Sequence, residues 1–173
     1  MARPPTGAGH YLRDLVYGAL DGVVTTLAVV AGVAGADLAV GVALILGLAN
    51  LVADGISMGA SNYLGLKSEL EQQDADVAAE KPLRHGLATL AAFVAAGAVP
   101  LVAFLLPVAG EAGRLPVAAA LSALTLFAVG ALRSRFLPRG PLRAGGEMLA
   151  VGMVAGAAAY GVGLLLRGLS GAG

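Results

Sequence analysis

The chain has 173 residues, of which 58% are hydrophobic and 13% charged, and its 11 basic and 11 acidic residues give a formal net charge of zero. Soluble domains are roughly 45 to 50% apolar and about 25% charged, so the composition predicts a single membrane domain over residues 1–173. The lack of cysteine excludes a disulfide or a thiolate metal site, and a chain whose only histidines are His10 and His85 is a poor candidate for a multi-histidine site. The sequence has no phosphate-binding loop, nucleophile triad or nucleic-acid motif, so we expect neither an enzyme nor a nucleic-acid-binding protein.

Five apolar stretches are each close to the ~20 residues that span the hydrocarbon core of a bilayer. We therefore predict an all-α, multi-pass membrane protein with five transmembrane helices. The first stretch is too long for the apolar core of a signal peptide and is expected to be retained. The stretches are Leu15–Gly35, Leu38–Ser61, Gly86–Leu106, Leu115–Leu132 and Met148–Leu166.

Basic residues are distributed unevenly between the two sides of the predicted membrane domain. Only Arg114 and Arg167 fall on one side, whereas nine fall on the side of the N-terminus and of the connections between spans 2 and 3 and between spans 4 and 5. Because Lys and Arg are enriched in cytoplasmic loops, we predict a cytoplasmic N-terminus and an external C-terminus. The nine are Arg3, Arg13, Lys67, Lys81, Arg84, Arg133, Arg135, Arg139 and Arg143.

An acidic residue, Asp21, interrupts the first apolar stretch about 9 Å from its start, with Thr25 one turn further on. An ionised carboxylate within a bilayer costs at least ~2.5 kcal/mol, and such residues almost always face a cavity or an ion path. The turn at residues 35–37 is so short that it forces an antiparallel hairpin, in which we expect Asp37 to cap the second helix.

The second stretch carries Asn50, Asp54 and Met58 at one-turn intervals on a single helix face. In the hairpin, Asp21 lies level with residue 51, so these side chains can share one metal site in the cytoplasmic half of the membrane. Carboxylate, amide and thioether ligands together favour Fe²⁺ or a similar first-row ion over Mg²⁺ and Ca²⁺. Two alternatives stay open, namely that Met58 serves only in packing and that Asn50 serves only to bond a neighbouring helix. If the buried acids of the empty site are protonated, metal entry expels protons, as antiport requires.

Other acidic residues lie outside the apolar stretches. The connection at about 63–84 is short, and its acids either attract cations weakly or belong to a solvated extension of span 2. Glu147 opens span 5, where a carboxylate either complements the helix dipole or serves the cytoplasmic mouth of a path. The members of the connection expected to share one helix face are Glu69, Gln73, Asp76 and Glu80.

Three pairs of glycines are spaced four residues apart within the apolar stretches. This spacing allows close helix approach in membranes, but it also arises by chance in a chain with 26 glycines. Whether one pair marks a subunit interface is therefore left open. The pairs are Gly18 with Gly22, Gly55 with Gly59, and Gly152 with Gly156.

The segments Asp21–Thr26 and Gly47–Gly59, with Tyr63 and Leu64 after them, strongly resemble the vacuolar iron transporter family of plants, fungi and bacteria. Residues 97–101 and 160–163 also resemble its third and fifth spans, so the resemblance covers nearly residues 11–166. It implies a five-span homodimer that exports Fe²⁺, and often Mn²⁺, from the cytoplasm in exchange for protons. It also implies an ion path between the two first helices, with Asp21 and Met58 as pathway residues.

The chain departs from well-known plant members of that family in two places. Those members have Glu at the position of Asn50 and a small residue at the position of Asp54, so the second carboxylate is displaced by one turn along the same face. They also have a long Glu- and Met-rich metal-binding domain between spans 2 and 3, where this chain has only residues 65–84. Metal capture by that domain is therefore not carried over.

We expect a dimer in the lipid bilayer that exchanges Fe²⁺ or Mn²⁺ for protons and has no bound cofactor. The excess of Arg over Lys, with much Ala and Gly, indicates a bacterial genome and hence a plasma membrane. One alternative is a membrane assembly or regulatory protein of the same fold that transports nothing, although it would have no use for acids at positions 21 and 54. Another is an organic-cation exporter, which would need an aromatic cage in a chain that has no Trp, four Phe and four Tyr.

Overall fold

Long helices account for most of the computed structural model, which describes residues 9–74, 76–105, 110–136 and 138–170. Arg3, and Leu106 at the end of the third predicted stretch, lie outside the described residues. The helices are α1 (Leu12–Gly35), α2 (Val40–Gln72), α3 (Val77–Glu80), α4 (Pro82–Leu105), α5 (Gly110–Arg133), a 3-10 helix (Ser134–Phe136) and α6 (Pro141–Ser170).

Within the described residues, α1, α2, α4, α5 and α6 are long and apolar enough to cross a membrane, with mean hydropathies of 1.7 to 2.2. This confirms the predicted number of spans. Large apolar side chains also cover the outer surface of the bundle; Ile45 is 69% exposed and Leu165 is 80% exposed. An apolar surface of this extent would be a liability in water, and it is the surface that a helix bundle presents to lipid.

Two polar contacts show which helix ends lie together. Asp14 in the first turn of α1 contacts His85 in the first turn of α4. Arg167 near the end of α6 pairs with Asp37, which follows the end of α1. Successive spans therefore run antiparallel. We call the two ends of the bundle the His85 end and the Arg167 end.

The turn between α1 and α2 does not use the predicted helix cap. The residue that precedes α2 is Ala39, which makes no side-chain capping bond. Asp37 instead takes a left-handed conformation with φ of 57°. Its N–H bonds to the carbonyl of Ala34, and the N–H of Leu38 bonds to the carbonyl of Val33 at 3.1 Å. This is a Schellman ending of α1, so the prediction that Asp37 caps α2 is wrong.

Helix α1 is the most buried of the spans and packs against α2, α4, α5 and α6. Glycines allow its close approach to α4. A Cβ on Gly22 would overlap the carbonyl oxygen of Phe93 and lie 3.0 Å from the Phe93 Cα, and a Cβ on Gly18 would meet the carbonyl oxygen of Thr89. The backbones of α1 and α4 are therefore in direct contact beside Asp21.

The other two glycine pairs also face helices of the same chain. A Cβ on Gly59 would lie 2.9 Å from the carbonyl oxygen of Gly86 in α4, and a Cβ on Gly156 would lie 2.9 Å from the side chain of Leu27 in α1. Gly55 and Gly152 are likewise buried against neighbouring side chains. All three pairs are thus occupied within the subunit, which removes them as candidates for a subunit interface.

Helix α2 continues past the predicted span, from Ser61 to Gln72, as a polar extension at the His85 end. The chain then reverses at Asp74, whose φ is 50°, and forms the single turn of α3. Glu69 therefore lies on α2, whereas Asp76 and Glu80 lie beyond the reversal. The prediction that these acids share one helix face is wrong because the helix ends before it reaches the later two.

Candidate metal path and the adjoining cleft

The predicted acidic pair lies on α1 and α2, within their membrane-spanning parts. Asp21 and Asp54 are both half-buried, and their side chains are close enough to interact electrostatically. This proximity is what the antiparallel register of the hairpin predicts. Two like charges at such a position repel each other, and a cation or a proton between them would remove that repulsion.

The remaining predicted ligands continue the same faces. Thr25 lies one turn after Asp21 and Asn50 one turn before Asp54, and both are half-buried. Met58 lies one turn after Asp54 and packs against the buried cluster that contains Leu51 and Phe93. Met58 also lines a cleft at the His85 end. It therefore separates that cleft from the acidic pair.

The cleft has a volume of about 930 Å³ and opens between α1, α2 and the start of α4. Its wall mixes polar and apolar surface and carries both signs of charge. Because Met58 is part of that wall, the cleft reaches the helical turn next to Asp54. The lining residues are His10, Arg13, Asp14, Tyr17, Met58, Ser61, Asn62, Gly65, Leu66, Glu69, Glu80 and His85.

A buried polar network forms one side of this cleft. Asp14 and His85 are only 5% and 6% exposed, and Asp14 Oδ2 lies 2.6 Å from His85 Nδ1. Asn62 Nδ2 donates to Asp14 Oδ1 at 2.8 Å and to Thr89 Oγ1 at 2.7 Å. The network therefore joins α1, α2 and α4 through fully partnered groups, as buried polar atoms require.

Sequence reasoning did not find this network, although a signal was present. Asp14 lies seven residues before Asp21, and Asn62 lies four residues after Met58. Both therefore extend the polar stripes already recognised on α1 and α2 by one or two turns. The contribution of α4 was not available from the hairpin register, because it depends on the close approach of α1 and α4.

At the mouth of the cleft, side chains from three segments converge. His10 Nε2 lies 3.2 Å from His85 Nε2 and 3.2 Å from Glu80 Oε1. These three side chains present nitrogen or oxygen atoms within 4.8 Å of one another. The number of histidines had argued against a multi-histidine site. The structure nevertheless brings both of them together with Glu80. Glu69 lines the same cleft.

Glu147 does not open its helix as expected. Helix α6 begins at Pro141, so Glu147 lies beyond the first turn to which a favourable dipole interaction is confined. Its carboxylate instead accepts hydrogen bonds from Arg133 at 2.8 Å and from Arg139 at 3.1 Å, and lies 3.6 Å from Arg143 Nε. Glu147 therefore fastens the connection between α5 and α6 at the His85 end.

Several known proteins are similar in sequence to most of this chain. A vacuolar iron transporter of Toxoplasma gondii is 28% identical, over 95% of this chain and 77% of its own length. Vacuolar iron transporter 1 of Eucalyptus grandis is 27% identical, over 90% of this chain and 86% of its own length. Vacuolar iron transporter homolog 1 of Oryza sativa subsp. japonica is 31% identical, over 98% of this chain and 82% of its own length. A family model described as the VIT family matches residues 12–82 and 73–164, which confirms the resemblance found in the sequence: the chain belongs to the VIT family.

Proposed function

We propose that this chain exports Fe²⁺, with Mn²⁺ as a second cargo, from the cytoplasm in exchange for protons. The observation that carries the proposal is the Asp21–Asp54 pair, two half-buried acids with interacting charges inside membrane-spanning helices. Acids in this setting are typical of ion pathways. The relatives that are named vacuolar iron transporters support iron as the cargo.

The ligand chemistry supports a first-row divalent ion. Asp21, Asp54 and Asn50 offer oxygen ligands, which alone would also suit Mg²⁺ and Ca²⁺. Met58 adds a thioether at the turn where the cleft approaches the pair. Sulfur favours the softer transition metals, so this combination selects Fe²⁺ over the abundant alkaline-earth ions.

The repulsion within the acidic pair supports proton coupling. A proton or a metal ion can each relieve the repulsion between the two carboxylates. Metal and proton therefore compete for the same two carboxylates. A site that alternates between these two states on opposite sides of a membrane exchanges one ion for the other.

The charge at the two ends of the bundle supports the proposed direction of transport. The His85 end carries most of the basic residues, including Arg13, Lys67 and Arg84, and the opposite end carries Arg114 and Arg167. By the positive-inside rule, the His85 end and its cleft face the cytoplasm. Cargo would enter through the cleft and leave at the Arg167 end.

A homodimer in a bacterial plasma membrane completes the proposal. Asp21 is only half-buried in a single subunit, and Tyr17, one turn before it, lines the cleft and is 62% exposed. A carboxylate left facing lipid is costly, and a second copy placed against this side of α1 would cover it. The ion path would then run at the interface between the two copies.

Reconstituted vesicles test the proposal directly. Protein with its His85 end outside is challenged with external Fe²⁺ or Mn²⁺ while an internal dye reports pH and a second dye reports metal. With the native chain, we expect metal to enter the vesicles and the internal pH to rise. Both signals should be lost in Asp21→Asn and in Asp54→Asn. The control is Glu71→Gln, because Glu71 is an exposed acid that pairs only with Lys67 among the contacts described.

Each result separates the competing functions. Metal entry without proton movement would refute antiport, and wild-type flux in Asp21→Asn would refute the assignment of the acidic pair. Neither signal in a folded native chain would favour the assembly or regulatory role. Proton movement driven by an organic cation but not by metal would favour the organic-cation exporter.

A further inference from the structure

We propose that His10, Glu80 and His85 form a binding site for a divalent transition-metal ion at the mouth of the cleft, with Asp14 as the residue that positions His85. This site is separate from the Asp21–Asp54 pair and lies outside the apolar part of the bundle. Two imidazoles and one carboxylate suit Zn²⁺, Fe²⁺ and Co²⁺ better than Mg²⁺ or Ca²⁺.

The distances between the ligand atoms fit a common ion. Tetrahedral bonds of about 2.0 to 2.1 Å place neighbouring ligand atoms about 3.3 Å apart. His10 Nε2 lies 3.2 Å from His85 Nε2 and 3.2 Å from Glu80 Oε1, and His85 Nε2 lies 3.9 Å from Glu80 Oε1. The three atoms thus form one face of a slightly open tetrahedron, and the fourth position is directed away from that face.

The orientation of His85 is fixed by groups that do not belong to the cluster. Its Nδ1 contacts Asp14 Oδ2 at 2.6 Å, and both residues are more than nine-tenths buried. When Nδ1 carries the proton and donates it to Asp14, Nε2 has a free lone pair directed at His10 and Glu80. A carboxylate behind a metal-binding imidazole is the usual supporting arrangement. Asn62 in turn holds Asp14 through its Oδ1.

The chain geometry brings the three ligands together without the membrane helices having to move. His10 lies just before α1, Glu80 ends α3 and His85 lies in the first turn of α4. Lys81 takes a left-handed conformation with φ of 55°, and Pro82 starts α4 at a position where proline is favoured. This turn folds Glu80 back over His85, so a bound ion would tie the N-terminal segment to the connection between α2 and α4.

The position of the cluster suggests its use, a step that rests on the proposed function. His10, Glu80 and His85 line the same cleft as Met58. An ion released from the mouth would therefore enter a cleft that leads to the turn beside Asp54. The site would collect metal on the cytoplasmic side, in a chain whose connection between α2 and α4 is short.

Binding is tested apart from transport on the purified full chain in detergent. Co²⁺ is titrated while its visible absorption, which is strong in four-coordinate nitrogen and oxygen sites, is recorded, and Zn²⁺ is then used to displace it. The background is Asp21→Asn with Asp54→Asn, which removes the intramembrane carboxylates. We expect saturable Co²⁺ binding in this background, and roughly tenfold or greater weakening in His10→Ala and in Glu80→Gln. Glu71→Gln serves as the matched control and should bind as the background does.

The positioning role of Asp14 has its own readout. Asp14→Asn should weaken Co²⁺ binding by about 10- to 100-fold and shift the absorption band, and Asp14→Glu should restore part of the affinity. Unchanged affinity in both His10→Ala and Glu80→Gln would overturn the site, as would loss of all binding in the Asp21→Asn and Asp54→Asn background. These measurements need no vesicle, so their outcome does not depend on whether the protein exchanges metal for protons.

Discussion

Replacing Gly22 with alanine should separate α1 from α4. The new Cβ would overlap the carbonyl oxygen of Phe93 and lie 3.0 Å from its Cα and carbonyl carbon. These are backbone atoms, so the overlap can be relieved only by moving a whole helix. Gly97 on α4 faces the same contact, since its own Cβ would lie 2.7 Å from the carbonyl oxygen of Gly22.

The magnitude follows from two opposing effects. Overpacking of a tight contact costs about 1 to 3 kcal/mol, whereas alanine gains up to about 1 kcal/mol over glycine in a helix. With the full helix gain, the net loss for Gly22→Ala is about 0 to 2 kcal/mol, and the difference from a control that has only the gain is about 1 to 3 kcal/mol. Gly161→Ala is the control because a Cβ on Gly161 meets nothing within 4 Å, so only the gain applies there.

The assay is the thermal unfolding of detergent-solubilised protein, followed by the loss of the intact peak in size-exclusion chromatography. At about 2 to 4 °C per kcal/mol for a chain of this size, Gly22→Ala should melt several degrees below Gly161→Ala. Since Asp21 adjoins Gly22, the displacement of α1 should also reduce metal flux in the first variant alone. Equal melting temperatures for the two variants would refute the direct backbone contact.

Three further predictions concern the path and its surroundings. Met58→Ala should reduce Fe²⁺ flux more than Mn²⁺ flux in vesicles because the softer ion loses more when sulfur is removed; unchanged flux of both ions in Met58→Leu would show that Met58 only packs. Asn62→Leu removes the donor to the buried Asp14 Oδ1 and should lower the free energy of unfolding by about 1 to 3 kcal/mol, whereas the melting temperature of native protein would contradict the network. Glu147→Gln weakens three arginine contacts at a partly exposed side chain and should cost no more than about 1 kcal/mol with normal metal flux; abolished flux would instead place Glu147 in the path.

The membrane spans could be predicted because hydropathy acts over some 20 residues at a time. The ends of the helices were harder to predict, because a helix can continue through polar residues after it has left the apolar layer. Helix α2 runs to Gln72, and α6 begins at Pro141, both well beyond the apolar residues. The role of Asp37 was missed for a different reason, because a left-handed helix ending and a helix cap suit the same residue type.

The acidic pair could be predicted because a tight hairpin fixes the register of adjacent helices. The closeness of Asp21 to Asp54 follows from that register, whereas their role as metal ligands stays a prediction. The cluster at the cleft mouth joins His10 to Glu80 and His85, which lie far along the chain, and His85 lies 71 residues from its partner Asp14. Nothing in the local pattern of α4 shows which residue of α1 it meets, because that is decided by where the glycines let the backbones approach.

The inward-facing glycine pairs would affect how strongly the two copies of the proposed dimer hold together. With these three glycine pairs turned inward, the exposed side chains of α2 include bulky ones such as Val52 and Ile56, which are 60% and 59% exposed. Lipid tails pack against such groups about as well as protein does. Association in the bilayer would therefore gain little from apolar area, and its strength would be set by a few polar positions beside Asp21. Metal loading and subunit affinity would then rise and fall together.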